Sequence, residues 1–243
     1  MKAKRNNDAF GRQIWDCFNG KDNVLLIERD DGLTEVSAGN FYFIKSEQWS
    51  KNEIIAVGFA KGKILDIGCG PGRHALYLQE KGLDVTAMDP SPLAIRVCKM
   101  QGIKKSLIGQ IENINDSLDL KYDTFLLMGN NLGLLQNQIK APEILRRLHG
   151  AGSDNAIIIA ESSNPDKIYD PAYRSYFNCN LKKGKLSGEV KLRVRYDDIT
   201  GPWFEYLYLS PSELEQLIRP TGWKILKIFE NNSPQYFVIL GKC

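Results

Sequence analysis

Histidine and cysteine are scarce in this chain, with 2 His and 5 Cys among 243 residues. The cysteines (Cys17, Cys69, Cys98, Cys179 and Cys243) are odd in number and scattered. No C-x-x-C and no Cys/His ligand spacing occurs, which argues against a zinc site and a disulfide framework. No apolar run has the length of a membrane-spanning helix. The start, Met1-Lys-Ala-Lys-Arg, has no apolar segment behind it, so no signal peptide is expected. A net charge of +3 is too small to argue by itself for nucleic acid or membrane. There is no internal repeat or low-complexity segment. The expected setting is cytoplasmic, with reduced thiols.

What remains is ordinary globular composition, 43% hydrophobic and 25% charged, with enough length for one substantial core. One stretch organises it. Ile64, Leu65 and Ile67 read as a buried strand, Asp66 interrupts it, and Gly68, Gly70 and Gly72 follow with Cys69 and Pro71 between them. Arg73 to Lys81 reads as a helix stopped by Gly82. A strand, a glycine loop and a helix N-terminus make a nucleotide pocket at the carboxyl end of a parallel sheet.

The glycine spacing narrows the nucleotide. A dinucleotide fingerprint is G-x-G-x-x-G. Here the third glycine comes one residue early, and an acid stands two residues before the first. That acid repels a pyrophosphate and attracts an ammonium or sulfonium ligand. The next strand, Leu83–Asp89, ends on a second acid, placed to accept both ribose hydroxyls of a nucleoside. Ser91 and Pro92 then start a helix through Met100, as N-cap and first helical residue.

These residues resemble the class I S-adenosylmethionine-dependent methyltransferases. Asp66-Ile-Gly-Cys-Gly-Pro-Gly72 is similar to that family's first motif and Met88-Asp-Pro-Ser-Pro92 to its second. Gly72-Arg-His-Ala-Leu-Tyr-Leu78 resembles the small-molecule and tellurite-resistance branch. The resemblance covers roughly residues 61–243. It implies a Rossmann-like, doubly wound α/β fold with a seven-stranded sheet, mostly parallel, and an antiparallel last strand. It implies S-adenosylmethionine as cofactor, held by Asp66, Gly68, Cys69, Gly70, Gly72 and Asp89. In the family an acid after the third strand bonds the adenine amino group. Gln110 stands there instead, and its amide oxygen can accept the same bond. Ile111 is expected on the adenine face.

The remaining pattern fills out the fold. Phe10, Ile14, Trp15 and Phe18 fall at helical spacing, followed by an extended Val24–Glu28 and a turn at Arg29–Gly32. With Phe41–Ile44, Trp49 and a helix over Lys51–Ala60, residues 1–60 are expected to form a cap over a domain of residues 61–243. Strands are expected at Ser106–Gly109, Tyr122–Met128 and Ala156–Ala160, with a helix at Pro142–His149. Gly129-Asn130-Asn131 follows the second of these strands, where the family places methyl group and substrate. Residues 166–208 form an aromatic insertion read as a β-ribbon roof. Within it Val190, Leu192 and Val194 alternate with Lys191, Arg193 and Arg195, a strand with one wet face whose charges block edge pairing. A helix from Ser210 and two strands, Trp223–Phe229 and Tyr236–Leu240, close the chain.

The resemblance thus makes Gly129 an expected cofactor contact, and Tyr42, Asn130, Asn131 and Trp203 are candidate acceptor contacts. His74 and His149 read as packing and helix-end residues. The function expected is orientation-dominated, in-line methyl transfer to a small molecule, with no membrane, no metal and no identified base. Three alternatives stand beside it: a non-catalytic regulatory nucleotide-binding module, a nucleic-acid methyltransferase using the basic stretch 182–195, and a nicotinamide oxidoreductase. The motif after Met128 is not Asn-Pro-Pro-aromatic, which counts against nucleic-acid and protein N-methylation, and the glycine spacing counts against the oxidoreductase.

Overall fold

A computed structural model describes residues 7–21, 23–114 and 121–243. The basic start Met1–Arg5 lies outside the described residues. In chain order the elements are α1 (Ala9–Phe18), β1 (Val24–Arg29), β2 (Thr34–Ala38), α2 (Lys51–Val57), β3 (Lys63–Ile67), α3 (Arg73–Glu80), β4 (Asp84–Asp89) and α4 (Pro92–Met100). Then come β5 (Lys105–Ile108), β6 (Tyr122–Leu127), α5 (Lys140–Ala151), β7 (Gly152–Ser163), α6 (Pro171–Lys182) and β8 (Glu189–Tyr196). The chain ends with β9 (Ile199–Thr200), β10 (Phe204–Leu207), α7 (Pro211–Ile218), β11 (Trp223–Glu230) and β12 (Gln235–Lys242).

The main sheet has seven strands in the order β11-β12-β7-β6-β3-β4-β5. Neighbours from β7 to β5 pair parallel, while β12 runs antiparallel to both β7 and β11. This is the expected Rossmann-like sheet. Its central strands bury both faces, so adjacent residues serve different cores. Leu65, Phe125, Leu127 and Ile158 pack with Ile144, Leu148, Leu214 and Trp223 under α5 and α7. Ile64, Leu126, Ile157 and Ile159 pack with Ala75, Leu78, Ile95 and Val57 under α2, α3 and α4. The strand order reverses at β3, and such a switch point opens a crevice at the carboxyl ends of β3 and β6.

The cap and the insertion share a second, antiparallel sheet, in the order β10-β8-β1-β2, with β9 on β8. This corrects two expectations. The strand β8 is interior, not an edge guarded by its charges, because β1 and β10 flank it. The insertion is also not all ribbon, for α6 occupies its first third. Asp170 caps that helix by accepting from the Ala172 amide at 2.8 Å, and Pro171 sits in its first turn. The helix buries only Phe177 and Asn180, so no apolar stripe advertised it.

The basic face of β8 is matched across the strand. Arg193 stands opposite Glu28 and donates to it twice, at 3.0 and 2.7 Å. That pairing holds the Glu28 carboxyl below the ordinary carboxylate range. The other face of the sheet, with Leu25, Ile27, Val190 and Leu192, packs against α1 and α6.

Candidate active site

The loop after β3 is built from backbone. Gly68, Gly70 and Gly72 all take positive φ, at 70°, 56° and 89°. At Gly68 a Cβ would lie 2.6 Å from the Asn131 amide nitrogen, so the close approach also requires glycine. Gly68 and Cys69 donate their amides to the Met88 carbonyl at 2.8 and 3.0 Å, tying the loop to the end of β4.

The two acids flank this loop, and both are buried. Asp89 accepts from the Gly70 amide at 2.9 Å and from the Ser91 amide at 2.8 Å. Ser91 also caps α4 and donates to Asp8 at 2.6 Å, and Asp8 caps α1. A chain of polar contacts therefore runs from the first helix to the glycine loop. Asp66 receives a backbone hydrogen bond from Ala75, but its Oδ2 is buried with no partner among the described residues. Burial pushes each carboxyl up to about 7, and for Asp66 the neighbouring Asp89 adds to the rise.

An orphaned, buried carboxylate oxygen beside a bare glycine loop fits a ligand that carries an ammonium group. Cys69 is buried with its Sγ 3.8 Å from Cys98 Sγ, and burial pushes its thiol well above the ordinary value. Ile111 is buried in the core cluster that includes Met88 and Leu65, while Gln110 is exposed at the loop edge.

The turn after β6 forms the opposite wall. Gly129 and Asn130 both have positive φ, at 70° and 64°. The Gly129 amide donates to Glu161 Oε2 at 2.8 Å, and Gln235 donates to the other oxygen. Burial raises the Glu161 carboxyl despite these bonds. The Asn130 carbonyl accepts from the Tyr206 hydroxyl at 2.5 Å, and its side-chain oxygen accepts from Ser163. Tyr206 comes from β10, so the second sheet reaches the carboxyl end of the first.

Asn131 turns its amide nitrogen to the backbone of the glycine loop. Its Nδ2 donates to the Ile67 and Gly68 carbonyls at 3.1 and 2.8 Å, clipping the glycine loop from behind. The expectation of a purely acceptor-side Asn131 is corrected accordingly. Asn131→Ala should destabilise the fold by about 1–3 kcal/mol, for two lost hydrogen bonds, and weaken cofactor affinity together with turnover. Thermal melts and calorimetry with S-adenosylhomocysteine on the variant check both effects, and unchanged affinity would show that the loop holds without the clip.

Trp203 is likewise displaced. Its ring carries the Arg193 guanidinium at 4.5 Å on the charged outer face of the second sheet. A cation on that face draws an electron-rich ring to it. Trp203 is thus engaged by Arg193 on that outer face.

The cap supplies the rest. Tyr42 packs edge-on against Phe10 at 5.1 Å and hydrogen-bonds Ser37. Phe10 in turn lies beside Gly70. Glu53 on α2 receives Arg73 Nη2 and His74 Nε2, each at 2.9 Å. Burial pushes the Glu53 carboxyl up, but these two partners outweigh it and hold the group low. Burial lowers His74 to about 4, so the ring is neutral and its Nε2–H donates to Glu53. It is a packing residue, stacked near Trp49 at 4.7 Å, as its sequence position suggested.

The sequence gives no role to Glu53, Arg73 or Tyr206, and places the segment from Glu161 at the end of the strand Ala156–Ala160, facing the site, without assigning it a contact. Glu161 ends an apolar strand just as Asp89 does, which is the signal that puts it there. Nothing in the sequence ties Glu53 to Arg73.

The fold has known counterparts. The family model described as "Tellurite resistance protein TehB" matches residues 39–184, more than half of the chain. A solved SAM-dependent methyltransferase from Bacteroides fragilis, in complex with S-adenosyl-L-homocysteine, superposes with a TM-score of 0.83 at 26% identity, covering 98% of this chain and 95% of that one. Among curated relatives, a glycine/sarcosine N-methyltransferase of Halorhodospira halochloris is 27% identical over 48% of this chain and 47% of its own length. A probable S-adenosyl-L-methionine-dependent methyltransferase TehB of Haemophilus influenzae is 30% identical over 42% of this chain and 37% of its own. The matched stretch thus spans less than half the length of these two relatives. A glycine loop between two buried acids, on a doubly wound sheet, agrees with the family match, and the chain belongs to the TehB family of class I S-adenosylmethionine-dependent methyltransferases.

Proposed function

We propose that this protein transfers a methyl group from S-adenosylmethionine to a small-molecule acceptor. The observation that carries the reading is the partnerless, buried Asp66 Oδ2 beside a glycine loop whose three glycines all take positive φ. In this reading Gly68, Cys69, Gly70 and Gly72 pack along the cofactor, Asp66 serves its ammonium end and Asp89 its ribose. Gln110 and Ile111 border the adenine, and Gly129 the methionine part. Residues 1–60 and about 166–208 act as a joint roof over the domain of residues 61–243.

S-adenosylmethionine supplies an activated methyl on a sulfonium, already a good leaving group. The chain's own task is then to orient the nucleophile and keep out water, and effective molarity alone can supply about 7–11 kcal/mol. Tyr42, Asn130, Glu161 and Tyr206 offer the polar and aromatic surface for that. Glu161→Gln keeps the shape and the bond from Gly129 but removes the carboxylate. It should lower turnover about 10²-fold if Glu161 accepts the acceptor's proton or holds its donor, with cofactor affinity nearly unchanged. Release of S-adenosylhomocysteine in a metabolite screen measures this, and wild-type turnover in the variant would remove Glu161 from the acceptor side.

One curated relative is a 23S rRNA (uracil(747)-C(5))-methyltransferase of Pyrococcus abyssi, 29% identical over 65% of this chain. A nucleic-acid substrate would call on the basic strand β8. Glu28 takes both Arg193 and, at 3.5 Å, Arg195, so one of those two charges is offset within the sheet, which favours the small molecule. Turnover on RNA that falls steeply with salt would reverse this preference. No helix among the described residues is long and apolar enough to cross a membrane.

A further inference from the structure

Arg73 is the first residue of α3, and its side chain is only 10% exposed. Its Nη2 is committed to Glu53 at 2.9 Å. The rings of Phe41 and Trp49 lie 5.3 Å from the guanidinium carbon and occupy the space around it. Its Nη1 is buried and has no partner among the described residues. A guanidinium cannot shed its proton, so a buried unpaired edge demands an acceptor from elsewhere. A charged oxygen such as that of a carboxylate makes the strong, charge-assisted form of this hydrogen bond.

The surroundings indicate whose carboxylate. Phe41, Trp49 and Glu53 belong to the cap, not to the glycine loop. The charge on Arg73 acts on Tyr42 and Glu161, which the reading above gives to the acceptor, and also on Asp66 at the glycine loop. We propose that Arg73 Nη1 is the docking point for a carboxylate on the acceptor, an inference that rests on the methyl-transfer reading above. Glu53 already balances the charge of Arg73, so recognition there is by directed hydrogen bonds and not by net charge. A carboxylate fixed under the cap leaves the other end of a small acceptor to reach toward Glu161 and the methyl donor.

The test uses the full protein saturated with S-adenosylhomocysteine, titrated by calorimetry with acetate and benzoate, and with acetamide and benzamide as neutral isosteres. The expected result is saturable binding of at least one carboxylate, no binding of its amide, and at least a tenfold loss in Arg73→Gln. Because Arg73→Gln leaves the buried Glu53 with only the neutral His74 ring as side-chain partner, the Glu53→Gln/Arg73→Gln pair is measured too and should show the same loss with a cooperative melt. Failure of both carboxylates to bind the saturated wild type overturns the proposal, as does equal affinity in the variants. A tenfold loss of S-adenosylhomocysteine affinity in Arg73→Gln, with 5′-methylthioadenosine unaffected, also overturns it by giving Arg73 to the cofactor's own carboxylate. If the wild type does not bind S-adenosylhomocysteine, the methyl-transfer reading fails. The same titrations on the ligand-free protein then decide Arg73 by itself.

Discussion

Asp89→Ala should reduce affinity for S-adenosylhomocysteine by about 10²–10⁴-fold. Two charge-assisted hydrogen bonds to the ribose are worth about 1.5–3 kcal/mol each, and both are lost. The geometry adds a second cost. Asp89 is also the acceptor for the Gly70 and Ser91 amides, so alanine leaves two buried donors unpaired and frees the loop from the α4 cap. Asp89→Asn keeps one acceptor oxygen of the same shape and should fall between alanine and wild type. Calorimetry on all three proteins orders them. An alanine variant within threefold of wild type would place the ribose elsewhere.

Cofactor affinity should also rise with pH, by about tenfold between pH 6 and pH 8. Asp66 and Asp89 are each pushed up to about 7 by burial, so at pH 6 both are largely protonated in the ligand-free protein. An ammonium ligand prefers the carboxylate, and a group that titrates near 7 changes its charged fraction about tenfold across that window. The stability of the ligand-free protein should move the opposite way. A carboxyl whose folded value lies above its unfolded value stabilises the fold most below the unfolded value of 3.8, and that contribution is lost as pH rises through about 7. Melting of the free protein should therefore come at lower temperature at pH 8 than at pH 5.5, while the shift on adding S-adenosylhomocysteine grows. A ligand-induced shift that is flat across the window would mean the two acids are already ionised without ligand.

The glycine loop and its two buried acids were legible in the sequence because each of these parts is local. Asp66 and the three glycines lie within seven residues, and Asp89 and Ser91 fall at a strand end and a helix cap that their own neighbours announce. The acceptor half is assembled from distant segments. Glu53, Arg73, Glu161 and Tyr206 come from four elements, and only the fold brings them together. Asn131 was located correctly at the carboxyl end of β6, yet its role turned on the carbonyls of Ile67 and Gly68, which no pattern could indicate. Trp203 followed the general rule that aromatics wall a pocket, but a neighbouring arginine on the outer face claimed its ring. The same locality explains the sheets. Each βαβ unit is written in continuous sequence, whereas the pairing of β1 with β8 joins strands that share only an alternating pattern.

That pairing bears on the order of folding. Glu28 and Arg193 are 165 residues apart in the chain, so closing the roof loses more chain entropy than closing any single βαβ crossover. Contacts of such long separation form late in folding, after local units have condensed. The glycine loop, bounded by β3 and β4, should thus take shape while the acceptor space still lies open. Amide exchange on the native protein should report this sequence in reverse, with β1, β2 and β8 opening at lower free energy than β3, β4 and β6. A chain caught between the two stages would hold its methyl donor with nothing yet enclosed to receive the methyl group.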